Sequence, residues 1–303
     1  MLDLIIIGGG MAGMTASLYA LRNNKKVLIL EKESVGGQIA KSPKVENYPT
    51  KKEISGTELA DEVFEQITDL GVQFELENVL DIKKENNIFV VTTDYSTYEA
   101  KSVIIATGAK PRTLNLENEE NLVGHGVYYC AICDGPFFAG KEVTLIGDAN
   151  SAMQYAIMLS SYCSKVHIFT LFDKFFGEKS LQDVVLSTPN IETKHNVSAI
   201  KLNGKNELES ITFQNKDGST FEHKTNALFV AIGQVPDNKV FEKLVDLDKS
   251  GYIISNETCL TKTPGLFVAG DCRTKEIRQV TTAIGDGAVA ATNACKYLAS
   301  LGE

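Results

Sequence analysis

LDLIIIGGGMAGMTASLYALRNNKKVLILEK, residues 2–32, decides the fold. Leu4 to Ile7 is a short apolar run, the pattern of a strand buried on both faces. It meets Gly8, Gly10 and Gly13 in G-x-G-x-x-G spacing, and a helix-like stretch follows through Leu21. A second apolar strand, Val27 to Leu30, then ends at Glu31. Strand, glycine turn, helix, strand and acid in this order form a dinucleotide-binding fingerprint. Gly8 allows the tight turn, Gly10 lets backbone approach a pyrophosphate, and Gly13 lets the helix pack on the strand. The helix N-terminus faces the anion, and Glu31 is placed for ribose hydroxyls. The alternative is a βαβ unit that holds no ligand.

Residues 141–172, KEVTLIGDANSAMQYAIMLSSYCSKVHIFTLF, repeat the pattern in frame. Gly147 answers Gly8, Ala149 answers Gly10, Ala152 answers Gly13, and Thr170 stands where Glu31 stood. Two such units predict an α/β chain with two Rossmann-like nucleotide-binding-type domains. The second copy differs where a phosphate would lie. Ala149 puts a methyl group in the way, and Asp148 adds a carboxylate beside an anion site. The segment after its second strand, FTLFDKFFGEK, has no arginine for a 2′-phosphate. The reading is a nucleotide site kept as scaffold; the alternative is a divergent but working NAD(P) site.

Length and composition set the frame. With 303 residues the chain has room for two domains with their own cores. A net charge of -9 argues against nucleic acid or an anionic membrane as main partner. The opening apolar run is too short to span a bilayer and lacks a signal-peptide leader, so a cytoplasmic protein is expected.

Six cysteines are too few for a disulfide framework in this length. Cys163, Cys259, Cys272 and Cys295 are isolated and read as buried thiols. GVYYCAICDGPFFAGKEV, residues 126–143, carries Cys130 and Cys133 in C-x-x-C spacing. Zinc would need two more close ligands, but His125, His167, His195 and His223 are scattered in sequence. A structural disulfide is disfavoured in a reducing compartment. A redox dithiol fits best, with Asp134 either shuttling a proton or capping a helix.

The fingerprint, the second βαβ unit and CAICDG together resemble the low-molecular-weight thioredoxin reductases. GGQIAKSPKVENYP from Gly36, ATGAKPR from Ala106, VAIGQVPDN from Val230, LFVAGDC from Leu266 and RQVTTAIGDGAVAA from Arg278 are similar to that family's blocks, in order. The resemblance implies a bipartite FAD domain, residues 1–113 and 244–303, with an inserted NAD(P)H-like domain, 114–243, between its parts. It implies FAD contacts from Gly8, Gly10, Met11, Ala12, Gly13, Glu31 and Lys32. Further contacts would come from Gly37, Gln38, Ile39, Asn47, Val79, Ala106, Thr107 and Gly108. Gly270, Asp271, Gln279, Val280, Thr281 and Ala283 would complete the set. Cys133 would be the thiol nearest the flavin, and Cys130 the one that attacks thioredoxin. A homodimer is implied as well.

The departure from the family is as specific as the likeness. Thr170, Leu171 and Phe172 replace its His-Arg-Arg triplet, and Phe176 replaces a further arginine. This resembles the branch in which ferredoxin, not NADPH, supplies electrons. The drop from a plant-type ferredoxin near about -400 mV to thioredoxin near about -270 mV releases roughly 6 kcal/mol for two electrons. Arg273, Lys275 and Arg278 form a candidate basic patch for an acidic ferredoxin.

Overall fold

The structure, a computed structural model, describes residues 1–42 and 45–302; Pro43 and Lys44, which fall within the Gly36–Pro49 block, lie outside the described residues, as does Glu303. The chain divides into two compact units, one formed by Met1–Lys110 with Val235–Glu303 and the other by Pro111–Gln234.

The first unit is built on a parallel sheet. β1 (Leu2–Ile7) pairs with β2 (Val27–Glu31), with Leu4 opposite Val27 and Ile7 opposite Leu30. β2 pairs with β3 (Gln73–Leu76), and β1 pairs on its other side with β6 (Thr97–Ile105). The first half of β6 joins an antiparallel meander with β5 (Ile88–Thr93) and β4 (Val79–Glu85), whereas its last residues pair with the parallel strand Leu266–Val268. Leu4, Ile6, Ile29 and Ile104 bury one face under α1 (Met11–Arg22) and the final helix, Val280–Ser300. Ile5, Ile7, Leu28, Val103 and Ile105 bury the other face against Phe89, Val91 and Phe241. Both faces are covered, which is why these strands read as unbroken apolar runs rather than alternations. Truncating Ile6, which is fully buried, to alanine would cost about 2–5 kcal/mol.

The second unit repeats the plan. Glu142–Ile146 is flanked by Lys165–Phe169 and Leu228–Val230 in a five-stranded sheet, with Ile191–Lys194 and Val127–Tyr128 at its edges, and every pairing is parallel. Helix Asn150–Ser160 packs Ala152, Met153 and Ala156 into one core. A three-stranded antiparallel sheet, Val197–Asn203, Ser210–Asn215 and Thr220–Lys224, covers the other face through Phe213, which stacks on Phe169 at 4.1 Å between ring centroids. The architecture is therefore α/β with two Rossmann-like units, as the doubled fingerprint predicts.

The junctions fall at 110/111 and 234/235, not at the expected 113/114 and 243/244. Val235 to Lys243 belongs with the first unit for a physical reason. Asn238 donates to the carbonyls of Gly251 and Cys272 at 2.9 and 2.8 Å, and Phe241 is buried in that unit's core. Among the described residues no helix is long and apolar enough to cross a membrane.

Candidate active site

The glycine turn after β1 forms the wall of a cleft. Gly8 has φ 113°, and a Cβ there would collide with the carbonyl oxygen of Ala106. A Cβ on Gly13 would collide with the Gly8 carbonyl, so Gly13 sets the helix-to-strand distance and stays outside the cleft lining. Gly10 is the N-cap of α1 and offers no capping side chain. The first N–H groups of that helix are therefore available to an anion. Glu31 is buried, and both of its carboxylate oxygens accept backbone N–H groups, from Gly9 at 2.7 Å and Glu33 at 2.8 Å. Those bonds orient the carboxylate while leaving lone pairs for hydroxyl donors.

Most of the expected residues converge here. Gly8, Gly10, Met11 and Ala12 line the cleft from the first turn, with Glu31 and Lys32 at the end of β2. Gly37, Gln38 and Ile39 come from the following short helix, and Ala106, Thr107 and Gly108 from the end of β6. Gly270, Asp271, Gln279, Val280 and Ala283 close the opposite side. Asn47 is outside the lining but donates to Gln279 Oε1 at 3.2 Å. Thr281 is exposed on the first turn of the last helix, and Val79 is buried in the sheet core, so neither borders the cleft. Gly36, Glu33, Ser34, Lys41, Ala109 and Lys110 line it unforeseen. The signal for Gly36 lay in its pairing with Gly37; both take positive φ, and a Cβ on Gly36 would meet Ala60 Cβ at 2.5 Å.

In the second unit Cys130 and Cys133 are joined as a disulfide, with Cα atoms 5.3 Å apart. Cys130 is the N-cap of a one-turn helix, its sulfur accepting the Cys133 N–H at 3.2 Å. Both cysteines are half-buried, and Ile132 between them is exposed. Asp134 is buried, and burial pushes its carboxyl up to about 7. A carboxyl poised there can release and take up protons near neutral pH. The four other cysteines are unpaired, three of them buried. His167 and His223, distant in sequence, meet with ring centroids 4.7 Å apart, but no group of three or more His, Cys, Asp or Glu among the described residues is placed to hold a metal ion.

Comparison with known proteins fits this pairing of cleft and disulfide. The pyridine nucleotide-disulphide oxidoreductase family matches residues 2–287. A Peptoclostridium acidaminophilum thioredoxin reductase is 38% identical over 98% of this chain and 96% of its own. The chain belongs to that family, among its thioredoxin reductases. A Clostridium pasteurianum protein described as a 34.2 kDa protein in a rubredoxin operon is 40% identical over 98% of this chain and 97% of its own. The crystal structure of thioredoxin reductase from Streptococcus pyogenes superposes with a TM-score of 0.95 at 36% identity, covering 99% of both chains.

FAD is the cofactor of this family, and the reductase's first cleft fits it. Asp271 Oδ1 is buried without any hydrogen-bond partner among the described residues, and burial pushes this carboxyl upward against the pull of Lys275 and Arg278. A buried acceptor left open costs about 1–3 kcal/mol unless a donor arrives. The hydroxyl-bearing chain of a flavin dinucleotide supplies such donors.

The corresponding turn of the second unit is built differently. A Cβ on Gly147 would meet the Ala231 carbonyl at 2.5 Å, as Gly8 meets Ala106, so the fold is kept. Thr170, in the place of Glu31, directs its hydroxyl to the Phe172 carbonyl at 2.8 Å and lies 2.7 Å from His195 Nδ1. Asn150, the first residue of its helix, donates to Glu178 Oε1 at 3.2 Å and accepts the Glu178 N–H at 2.8 Å. Gly177 lies so close that a Cβ there would collide with Asn150 Oδ1 and Met153 Cε.

The candidate basic patch is corrected. Arg273 is only 3% exposed, and the Arg273 and Lys275 side chains are both tied to Asp286 at 2.7 and 2.9 Å. Arg278 lies over the Tyr252 ring at 4.1 Å and donates to the Asp271 and Arg273 carbonyls. The three side chains are thus bonded within the first unit, with Arg273 buried and Lys275 and Arg278 half-buried.

Proposed function

We propose that the reductase passes electrons from reduced ferredoxin to thioredoxin through FAD and the Cys130–Cys133 pair, without a pyridine nucleotide. The observation that carries the donor assignment is the clasp of Asn150 and Glu178 over the first turn of helix Asn150–Ser160. It ties the Glu178 carboxylate to the first residue of that helix, an unfavourable neighbour for a phosphate at the helix N-terminus. The segment leading to it carries Leu171, Phe172 and Phe176, all exposed and apolar.

FAD, when bound, supplies the means to collect electrons singly and deliver them in pairs. The residues of the chain do the rest. Gly10, the α1 N-terminus, Glu31 and Asp271 hold the cofactor. Once the pair is reduced, the Cys130 thiolate attacks one sulfur of the thioredoxin disulfide, which breaks as a mixed disulfide forms. Cys133 then attacks Cys130 sulfur, restoring the internal disulfide and releasing dithiol thioredoxin. Asp134 gives a proton to a departing thiolate. A cytoplasmic homodimer completes the reading.

The second reading, an NAD(P)H-dependent thioredoxin reductase with a divergent site, is favoured by the pyridine-nucleotide description of the family. Thioredoxin turnover separates the two. Reduced ferredoxin as sole reductant sustains it on the first reading, and NADPH or NADH alone does so on the second.

A further inference from the structure

Asp286 sits in the second turn of the last helix among glycines and alanines, and its side chain is 10% exposed. Its carboxylate accepts four hydrogen bonds: from Arg273 Nε at 2.8 Å and Nη2 at 2.7 Å, from Lys275 Nζ at 2.9 Å, and from the backbone N–H of Gly270 at 3.0 Å. Gly270 and Asp271 line the cleft, and the same helix contributes Val280 and Ala283 to it. The third wall is tied in as well. A Cβ on Gly287 would collide with the Ala12 carbonyl, and one on Gly270, at φ 80°, would meet Ala12 Cβ at 2.9 Å. Three lining segments therefore meet around one buried carboxylate.

Stability alone is a weak account of such a cluster, because well-packed apolar side chains of similar volume usually stabilise a core as well or better. Four directed hydrogen bonds do something methyl groups cannot: they fix the orientation of the turn they hold. We propose that Asp286 is a positioning residue of the FAD cleft, locking the Gly270–Asp271 turn to the last helix so that Asp271 and the Gln279–Val280 end face the cofactor in one register. This rests on the reading of that cleft as the FAD site.

Three readouts test it: FAD affinity of the apoprotein by flavin fluorescence, visible circular dichroism of bound flavin, and the thermal midpoint of the apoprotein. Asp286→Asn is expected to weaken FAD binding by about tenfold or more, the scale on which loss of a supporting hydrogen bond weakens a bound group. Because that variant buries two unpaired cations, a second one, Asp286→Leu with Arg273→Met and Lys275→Met, removes all three charges at similar volume. Its apoprotein midpoint is expected near that of the native chain, with FAD still about tenfold weaker and the flavin dichroism altered. FAD affinity within about twofold of native, with unchanged dichroism, in the triple variant would overturn the proposal. Gly10→Val, which fills the cleft beside the turn, is the control for the site itself. Retention of FAD by that variant removes the cleft reading and the proposal with it. Loss of FAD there, alongside normal binding in the triple variant, removes the role of Asp286 alone.

Discussion

Asn150 and Glu178 exchange two hydrogen bonds across the first turn of the second unit's Rossmann helix, at 3.2 and 2.8 Å. The equivalent position in the first unit is Met11, whose side chain has no such bond to offer and which lines an open cleft. Both turns are approached by the segment after their second strand, since the Gly36 N–H donates to the Gly9 carbonyl at 2.9 Å and the Phe176 N–H to the Asp148 carbonyl at 2.7 Å. The scaffold is thus shared, and the two turns differ in the side chains set on it.

If side chains alone close the second site, side chains should reopen it. Asp148→Gly, Ala149→Gly and Glu178→Ala combined with Leu171→Arg, Phe172→Arg and Phe176→Arg are expected to create NADPH binding, each well-made arginine–phosphate contact adding about 1.5–3 kcal/mol. Thermal shift with millimolar NADPH is the check. The native chain should show no shift and the rebuilt chain a clear one.

Asp134 gives a pH signature. Burial disfavours the charged form and pushes its folded carboxyl up to about 7, from about 4 for an ordinary aspartate. Between those two values the folded state holds the extra proton, so this group's contribution makes stability fall as pH rises from about 4 to about 7 and then level off. Asp134→Asn should flatten that part of the urea midpoint against pH. It should also slow thiol exchange by about 10²–10⁴-fold, the usual worth of a positioned proton donor.

The two cysteines should behave differently from the cleft. Cys130→Ser or Cys133→Ser is expected to abolish thioredoxin reduction while leaving FAD bound and reducible. Thiol titration of thioredoxin and the visible spectrum of the variant measure the two halves separately. A Cys130→Ser protein that still reduces thioredoxin would remove the dithiol from the reaction.

Gly8 tests the first turn. Alanine there must adopt φ 113° and displace the Ala106 carbonyl. Strain of this kind costs about 1–3 kcal/mol before the clash is counted. Gly8→Ala should therefore purify with little or no flavin and a lower denaturation midpoint.

The parts of this molecule that were legible in the sequence are those whose cause is local. Gly13 is dictated by the nearby Gly8 carbonyl, Gly8 by the positive φ of its tight turn, and Leu4 to Ile7 by burial on both faces, so spacing alone exposed them. The doubled unit was visible because Gly147 and Ala152 repeat the same local demands. What escaped depends on partners far along the chain. Arg273 and Lys275 read as a surface patch because nothing near them announces Asp286, which hides in a helix of small residues. The junction near 234 escaped because Asn238 is held by Gly251 and Cys272.

The central claim is that the second unit's turn does not accept a nicotinamide coenzyme. Anaerobic mixing of the oxidised FAD-loaded reductase with excess NADPH, beside an identical sample given reduced ferredoxin, tests it most directly. The account predicts that the visible flavin absorption bleaches with ferredoxin and persists with NADPH. Rapid bleaching by NADPH would contradict it.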